Sequence, residues 1–253
     1  MKRNYIQLML WSLMASLLVC ACSEEPTTVQ FMSYNIRNGN GIDNVKDLNR
    51  IVTAIQKQDP DVLACQEVDS VTTRCNGEYT LGILAERTNR YATYAPAINF
   101  QGGKYGIGML SKEKPLSHKQ YQLPGREEQR TLLVVEFEKY VYCCTHLSLT
   151  PEDQLLSLPI INEIAKAYQK PFFLAGDLNA HPDSEFIKGL QQDFNVISSI
   201  NEYTFPADQP NETIDYIAVR QQDAARVTVV TSEVVNEPAA SDHRPIATTV
   251  VLN

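Results

Sequence analysis

Positive charge is in short supply in this chain. Twenty-two lysines and arginines face 30 aspartates and glutamates, a formal net charge of −8 at pH 7 over 253 residues. This argues against a protein that grips nucleic acid non-specifically, because that binding depends on Lys and Arg neutralising phosphates. It leaves a phosphorylated ligand open, since a bound cation inverts the local field. There is no low-complexity tract and no repeat at solenoid periods. The apolar stretch from Ile6 to Val19, interrupted by Gln7, Ser12 and Ser16, falls short of the roughly 20 apolar residues a spanning helix needs. No His or second Cys stands at zinc-finger spacing from a Cys, which argues against a Cys-based zinc site. The Gly-rich run Gly103-Lys104-Tyr105-Gly106-Ile107-Gly108 is not a dinucleotide fingerprint, because no βαβ unit surrounds it.

The N-terminus reads as an export signal. Lys2 and Arg3 precede the apolar stretch, and Val19-Cys20-Ala21-Cys22-Ser23-Glu24-Glu25 follows it. This resembles a bacterial lipoprotein signal with Cys22 as the lipidated residue. Residues 1–21 are then the signal peptide, 22–28 a tether and 29–253 one domain. The expected location is outside the cytoplasm, lipid-anchored to a bacterial membrane. Ser23-Glu24-Glu25 resembles the acidic tag that sends some lipoproteins to the outer membrane's cell-surface side. Cys65, Cys75, Cys143 and Cys144 are read as buried free thiols, because Cys65 and the adjacent 143–144 pair lie in apolar strand-like runs.

Strand and helix signals alternate from there. Val29–Ile36 reads as a strand, and Val45–Gln58 has helical apolar spacing stopped by Asp59-Pro60-Asp61. Val62–Cys65 is a short buried strand, and Tyr79–Asn89 a helix. Tyr91–Val141 reads as an antiparallel meander. Val141–Leu147 is a strand. Asp153–Gln169 is a helix that Pro159 should kink or restart, and Pro171–Ala175 is a buried strand. Strands are expected near 213–220, 226–235 and 245–251. With no linker in sight, this is one α/β domain with a two-sheet core and helices outside.

The polar residues fall at strand ends. Asn35 and Glu67 close the first two strands, and His146 closes the strand from Val141. Asp177 and Asn179 follow the strand from Pro171, Asp215 opens a later strand, and Asp242-His243 precede the last. Strand ends on one rim of a sheet can converge on one pocket. Carboxylates, amides and two imidazoles there are equipped to hold a hard cation and move protons. His118 and His181 stand apart and read as surface or loop residues.

Six short motifs occur in order: Ser33-Tyr34-Asn35-Ile36-Arg37, Gln66-Glu67-Val68, Thr145-His146-Leu147, Gly176-Asp177-Leu178-Asn179, Ile214-Asp215-Tyr216 and Ser241-Asp242-His243-Arg244-Pro245. Together they resemble the endonuclease/exonuclease/phosphatase superfamily, over Val29–Val251. The resemblance implies a four-layer α-β-β-α sandwich of two mixed, mostly antiparallel sheets. It implies a Mg²⁺-dependent phosphoesterase with Glu67 as principal metal ligand and Asn35 and Asp242 nearby, directly or through water. Mn²⁺ and Ca²⁺ seek the same oxygens. Asp177 would orient and deprotonate water, and Asn179 would hold a phosphate oxygen or that water. His243, charged by Asp215, would face the phosphoryl group, and His146 another phosphate oxygen or the leaving group. The metal and the imidazolium groups would share the phosphoryl charge. Arg74 and Tyr105 are candidate substrate contacts, and Lys104 reads as surface.

Thr145-His146-Leu147 replaces the Tyr-x-Pro-Asn motif of abasic-site endonucleases, which counts against DNA repair. The expected partner is a phosphorylated small molecule or lipid headgroup, with nucleic acid disfavoured, and a monomer is expected. A secreted nuclease and a binding lipoprotein with a dead site are the alternatives.

Overall fold

The structure, a computed structural model, describes residues 26–253. The expected signal peptide of residues 1–21, the expected lipidation site Cys22 and most of the expected tether therefore lie outside the described residues.

The first half of the chain builds most of one sheet. Its elements are β1 (Thr27–Asn35), α1 (Leu48–Gln58), β2 (Val62–Ser70), α2 (Thr80–Thr88), β3 (Tyr91–Phe100) and β4 (Gly103–Ser111). The second half builds the other from β5 (Ser117–Leu123), β6 (Arg130–Glu136), β7 (Val141–His146), α3 (Pro151–Lys166), β8 (Phe172–Asp177), α4 (Glu185–Leu190), β9 (Phe194–Val196) and β10 (Asp215–Arg220). The chain then returns to the first sheet through β11 (Val227–Val234) and β12 (Ile246–Leu252). The strand orders are β11-β12-β1-β2-β4-β3 and β5-β6-β7-β8-β10-β9. Each six-stranded sheet has one parallel pair near its middle, β1 with β2 and β7 with β8; every other pairing is antiparallel. Helices α1 and α3 are the crossovers that parallel pairing requires.

Period-two alternation sorts the apolar side chains into three layers. Phe31, Val62, Ala64, Tyr142, Cys144, Phe173 and Ala175 point between the sheets. Their neighbours Met32, Leu63 and Cys65 meet α1 and α2, while Val141, Cys143, Phe172 and Leu174 meet α3 and α4. Strands covered on both faces read as unbroken apolar runs, which is why the central ones stand out in the sequence. Phe31 ties the sheets together, stacked on Tyr142 at 4.6 Å and tilted on Phe173 at 4.5 Å between ring centroids. The Tyr142 hydroxyl donates across the interface to the Met32 carbonyl at 2.9 Å. All four described cysteines are buried and unpaired.

Several boundaries differ from the sequence reading. The tether ends earlier, since β1 begins at Thr27. α1 starts at Leu48 because Asp47 caps it, accepting from the Asn49 N–H at 2.9 Å. The expected meander over 91–141 is split: β3 and β4 form a hairpin in the first sheet, and β5–β7 a meander in the second. α3 starts at Pro151, ends at Lys166 and runs unbroken through Pro159. Pro159 lies on the solvent face, where Leu155 and Leu156 are exposed too. α4 and β9 were not anticipated at all.

Candidate active site

Asn35 is the last residue of β1 and wholly buried. Its side-chain oxygen accepts from the Arg37 N–H at 3.1 Å. That fixes the amide, and its Nδ2 donates to Glu67 Oε1 and to Asp177 Oδ2, both at 3.1 Å. One amide from the first sheet therefore spans a carboxylate of each sheet. The nitrogen of Asn35, and not its oxygen, faces the two acids.

Glu67 reaches the rim because β2 carries a bulge. The register against β4 shifts between Cys65↔Gly108 and Val68↔Gly106. Val68 takes the helix-facing place that alternation assigns to residue 67, and Glu67 is left over with φ of 57°. On its other side Gly106 lets β3 pack close, since a Cβ there would sit 2.3 Å from the Ala95 carbonyl oxygen. Burial raises the Glu67 pKa; the Asn35 hydrogen bond opposes this, while the Asp242 and Asp177 charges add to it.

The second sheet supplies the rest. β7 and β8 end level, with His146 opposite Asp177, and β10 places Asp215 beside Asp177 on the other flank. Asp177 Oδ1 accepts from the Asn179 N–H at 3.0 Å. Asp177 Oδ2 lies 3.5 Å from His146 Nε2 and 3.6 Å from His243 Nε2, besides its bond from Asn35. Asp215 Oδ2 holds His243 Nδ1 at 2.9 Å. Asn35, Asp177, Asp215 and His243 are each at most 5% exposed.

The two imidazoles are driven apart electrostatically. Burial alone would lower the His243 pKa, but Asp215 and Asp177 outweigh it and hold the ring at about 10. At His146 burial wins over the Asp177 charge, and the pKa falls to about 4. At neutral pH one ring is an imidazolium and the other a neutral imidazole, so the expectation of two charged rings is corrected for the free protein.

Asn179 sits beside this core with φ of 49°, its Nδ2 donating to the Leu147 carbonyl at 2.9 Å. Asp242 pairs with Arg37 Nε at 3.2 Å. Arg74 and Tyr105 are further along the first sheet. Arg74 makes a bidentate pair with buried Asp69 at 2.7 and 2.9 Å, and its guanidinium lies over Phe100 and Tyr105 at 4.6 and 5.2 Å. Burial pushes the Tyr105 hydroxyl far above its usual pKa, with the Glu67 charge adding to it. Lys104 is exposed and bonded to Asn99 in the β3–β4 hairpin. His118 is exposed on β5, and His181 faces Glu212 at 3.5 Å outside the cluster.

Sequence reasoning missed Arg37, although it lies within the first motif. It missed Phe205, whose ring centroid is 4.8 Å from that of His243, and the Glu127–Glu128–Arg130 group beside His146. No spacing rule links these residues to the motifs.

Ligand atoms of Asp177, Asp215 and His243 lie within 4.8 Å of one another, close enough to hold a metal ion. Two of these three groups are already joined to each other, His243 Nδ1 to Asp215 Oδ2 at 2.9 Å. Glu67 lies close enough to Asp242 and Asp177 for their charges to raise its pKa. Three oxygen-donor carboxylates repel one another there, and Arg37 and Asn35 offset only part of that charge. A cavity of about 370 Å³ lies between Asn162, Asp193 and Arg220, at the opposite end of β10 from Asp215, and no site residue lines it.

A family model described as "Endonuclease/Exonuclease/phosphatase family" matches residues 32–243, from the strand that carries Asn35 to His243 itself. The chain belongs to the endonuclease/exonuclease/phosphatase family. Solved structures of the same fold include an endonuclease/exonuclease/phosphatase from Bacteroides vulgatus, 18% identical, covering 90% of this chain and 100% of that one at a TM-score of 0.73. The human Nocturnin catalytic domain is 18% identical over 89% of this chain and 94% of its own, with a TM-score of 0.68. A mannosyl-6-phosphatase from Bacteroides thetaiotaomicron VPI-5482 is 16% identical over 88% and 100%, with a TM-score of 0.67. No curated protein matches the chain. Family membership gives the fold the four layers inferred from the six motifs and makes a phosphoester hydrolase the class of activity to weigh.

Proposed function

We propose that the protein is a Mg²⁺-dependent phosphoesterase that hydrolyses a phosphorylated small molecule or lipid headgroup by in-line attack of water. The observation that supports this most is the meeting at Asp177 Oδ2 of Asn35 Nδ2, His146 Nε2 and His243 Nε2 within 3.1–3.6 Å. A buried carboxylate flanked by two rings and an amide can orient a water and take its proton.

Glu67 and Asp242 would hold the cation, with Asn35 fixing the Glu67 carboxylate. The cation supplies charge neutralisation and polarisation of a phosphoryl oxygen. Asp177 positions the nucleophilic water and accepts its proton. His243 presents a charged N–H to the phosphoryl oxygens as negative charge builds, and Asp215 keeps that ring oriented and protonated. His146 enters as a neutral ring beside the phosphate oxygens and the leaving group. Asn179, held in place by its contact with the Leu147 carbonyl, lines the water side. No side chain here is a covalent nucleophile, so turnover rests on positioning and charge compensation. The N-terminal signal and Cys22 support an exported, lipid-anchored placement, where nutrient or membrane phosphate esters are within reach.

The test is hydrolysis of p-nitrophenyl phosphate and bis-p-nitrophenyl phosphate with Mg²⁺, with and without chelator. Turnover of at least one ester, abolished by chelator, is expected. Asp177→Ala and His243→Ala are each expected to lose roughly 10²–10⁴-fold in rate while remaining folded. Near-normal turnover in either variant removes that residue from the mechanism.

A further inference from the structure

The chain enters the domain at the rim opposite the active site. Thr27 opens β1 and Asn35 closes it, a strand of nine residues. At about 3.3 Å per residue, the entry point and the site stand roughly 26 Å apart. Thr27 lines a surface depression together with Asp61, Glu138 and Tyr140. These stand before β2, after β6 and before β7, at the strand ends away from Glu67 and His146.

The entry point is fixed. Thr27 pairs with Leu252 of β12, and its hydroxyl accepts from Lys139 Nζ at 2.7 Å. Asp61 holds Gln30 by both backbone groups: the Gln30 N–H donates to Asp61 Oδ2 at 2.8 Å, and the Gln30 carbonyl accepts from the Asp61 N–H at 2.9 Å. β1 lies between β12 and β2, so it does not peel away to lengthen the tether. Cys22 precedes Thr27 by five positions, and five extended residues span at most about 18 Å. A lipid on Cys22 keeps that residue at the bilayer surface. For the site to open onto the same bilayer, Thr27 would have to stand about 26 Å above it, on the far side of the domain. Laid on its side, the domain holds the site off the surface by the layer flanking β1, about 10 Å, and the mouth opens along the bilayer.

We infer that the rim around Thr27 and Glu138 is the membrane-facing side of the anchored protein and that the active site faces away from its own bilayer. Its phosphorylated substrate then arrives from the aqueous side and is not a headgroup of the membrane that carries the enzyme. The inference rests on the lipid-anchor and phosphoesterase readings above and narrows the second. Tethering raises the effective concentration of a target only where the tether spans the distance, and drops it to near zero where it does not. Exposed Leu149, just past the end of β7, stands on the outward rim, so an apolar surface that meets it comes from outside.

Energy transfer to a dye in the bilayer reads the orientation directly. All four described cysteines are buried, so a cysteine introduced at exposed Glu138 or exposed Gln209 takes a donor dye selectively. Gln209 lies in the loop beside the site, close to Ala207, whose N–H donates to the Asp242 carbonyl at 2.7 Å. In the lipidated protein on vesicles, the donor of Gln209→Cys is expected to stand about 20 Å or more further from the bilayer than that of Glu138→Cys. Equal distances, or a nearer Gln209→Cys donor, overturn the inference. On the same vesicles with Mg²⁺, p-nitrophenyl phosphate should be hydrolysed equally by the anchored protein and by Cys22→Ser. An aryl phosphate carried on a lipid of those vesicles should be hydrolysed at least about tenfold more slowly by the anchored protein than by Cys22→Ser. About 20 Gly and Ser residues inserted between Glu25 and Pro26 add roughly 25 Å of reach and should remove that deficit. Faster cleavage of the lipid ester by the anchored protein without the insert overturns the inference, as does a deficit that survives the insert. Absence of fatty acid on Cys22 also overturns it and leaves the phosphoesterase reading standing. Failure to cleave any ester sinks the phosphoesterase reading, while the energy transfer still decides the orientation.

Discussion

Asp177 Oδ2 is the atom on which the site turns, and His243 is the residue whose state most depends on its surroundings. Asp215 and Asp177 keep the His243 ring protonated to about pH 10, while burial keeps His146 neutral down to about pH 4. Histidine ring NMR of the metal-free protein should show His243 charged and His146 neutral from pH 5 to 8. Asp215→Asn is expected to bring the His243 pKa back toward the usual value near 6.5 and to lower the rate about 100-fold at neutral pH. Because folding raises the His243 pKa, its pair with Asp215 stabilises the metal-free fold fully below about pH 6.5. That contribution is lost as pH rises through about 10. A flat His243 titration between pH 5 and 8 that survives Asp215→Asn would refute the assignment of the charge to that carboxylate.

At the scale of elements, the β2 bulge is the device that turns a strand into a ligand support. Glu67 is held in left-handed backbone, half-buried, and near two other acids. An acid whose pKa is raised on folding costs stability once it ionises, so the cost is absent below about pH 4.5 and grows as pH rises. Glu67→Gln should therefore raise the Tm of the metal-free protein at pH 7, by about 2–4 °C for each kcal/mol of repulsion removed. A lower Tm would mean that Glu67 stabilises the metal-free fold. The bulge could not be read from sequence, because Gln66-Glu67-Val68 continues an apolar strand and only pairing with Gly106 and Gly108 reveals the extra residue. The same limit applies to Gly176, which looks like a motif glycine. A Cβ there would lie 1.9 Å from the Thr145 carbonyl oxygen, so Gly176→Ala should destabilise by about 1–3 kcal/mol or more in urea unfolding. By contrast, Asn35, His146 and Asp177 were legible, because each ends a strand and falls within one of the six motifs. The β9 strand, with only three residues, and the helix across Pro159 were not, since tertiary cover decides both.

Across the whole molecule, two sheets with one parallel pair each bring strand ends from residues 35 to 243 onto one rim. Sequence order carried that convergence through the six motifs. The Glu127–Glu128–Arg130 group beside His146 was hidden, since no motif includes it. The N-terminal reading makes its own claim about the full chain. Cys22→Ser should abolish incorporation of labelled fatty acid and move the protein from the membrane to the soluble fraction, checked by fractionation of expressing cells. Unchanged labelling would place the lipid elsewhere or rule it out.

The most direct test of the central claim is the rate of ester hydrolysis as a function of Mg²⁺ concentration for the native protein and Glu67→Gln. The native rate is expected to saturate with Mg²⁺, vanish with chelator and return when Mg²⁺ is restored, while Glu67→Gln requires at least about tenfold more Mg²⁺ or stays inactive. Full turnover in chelator, or an identical Mg²⁺ dependence in Glu67→Gln, would show that these carboxylates do not hold the cation on which the reaction depends.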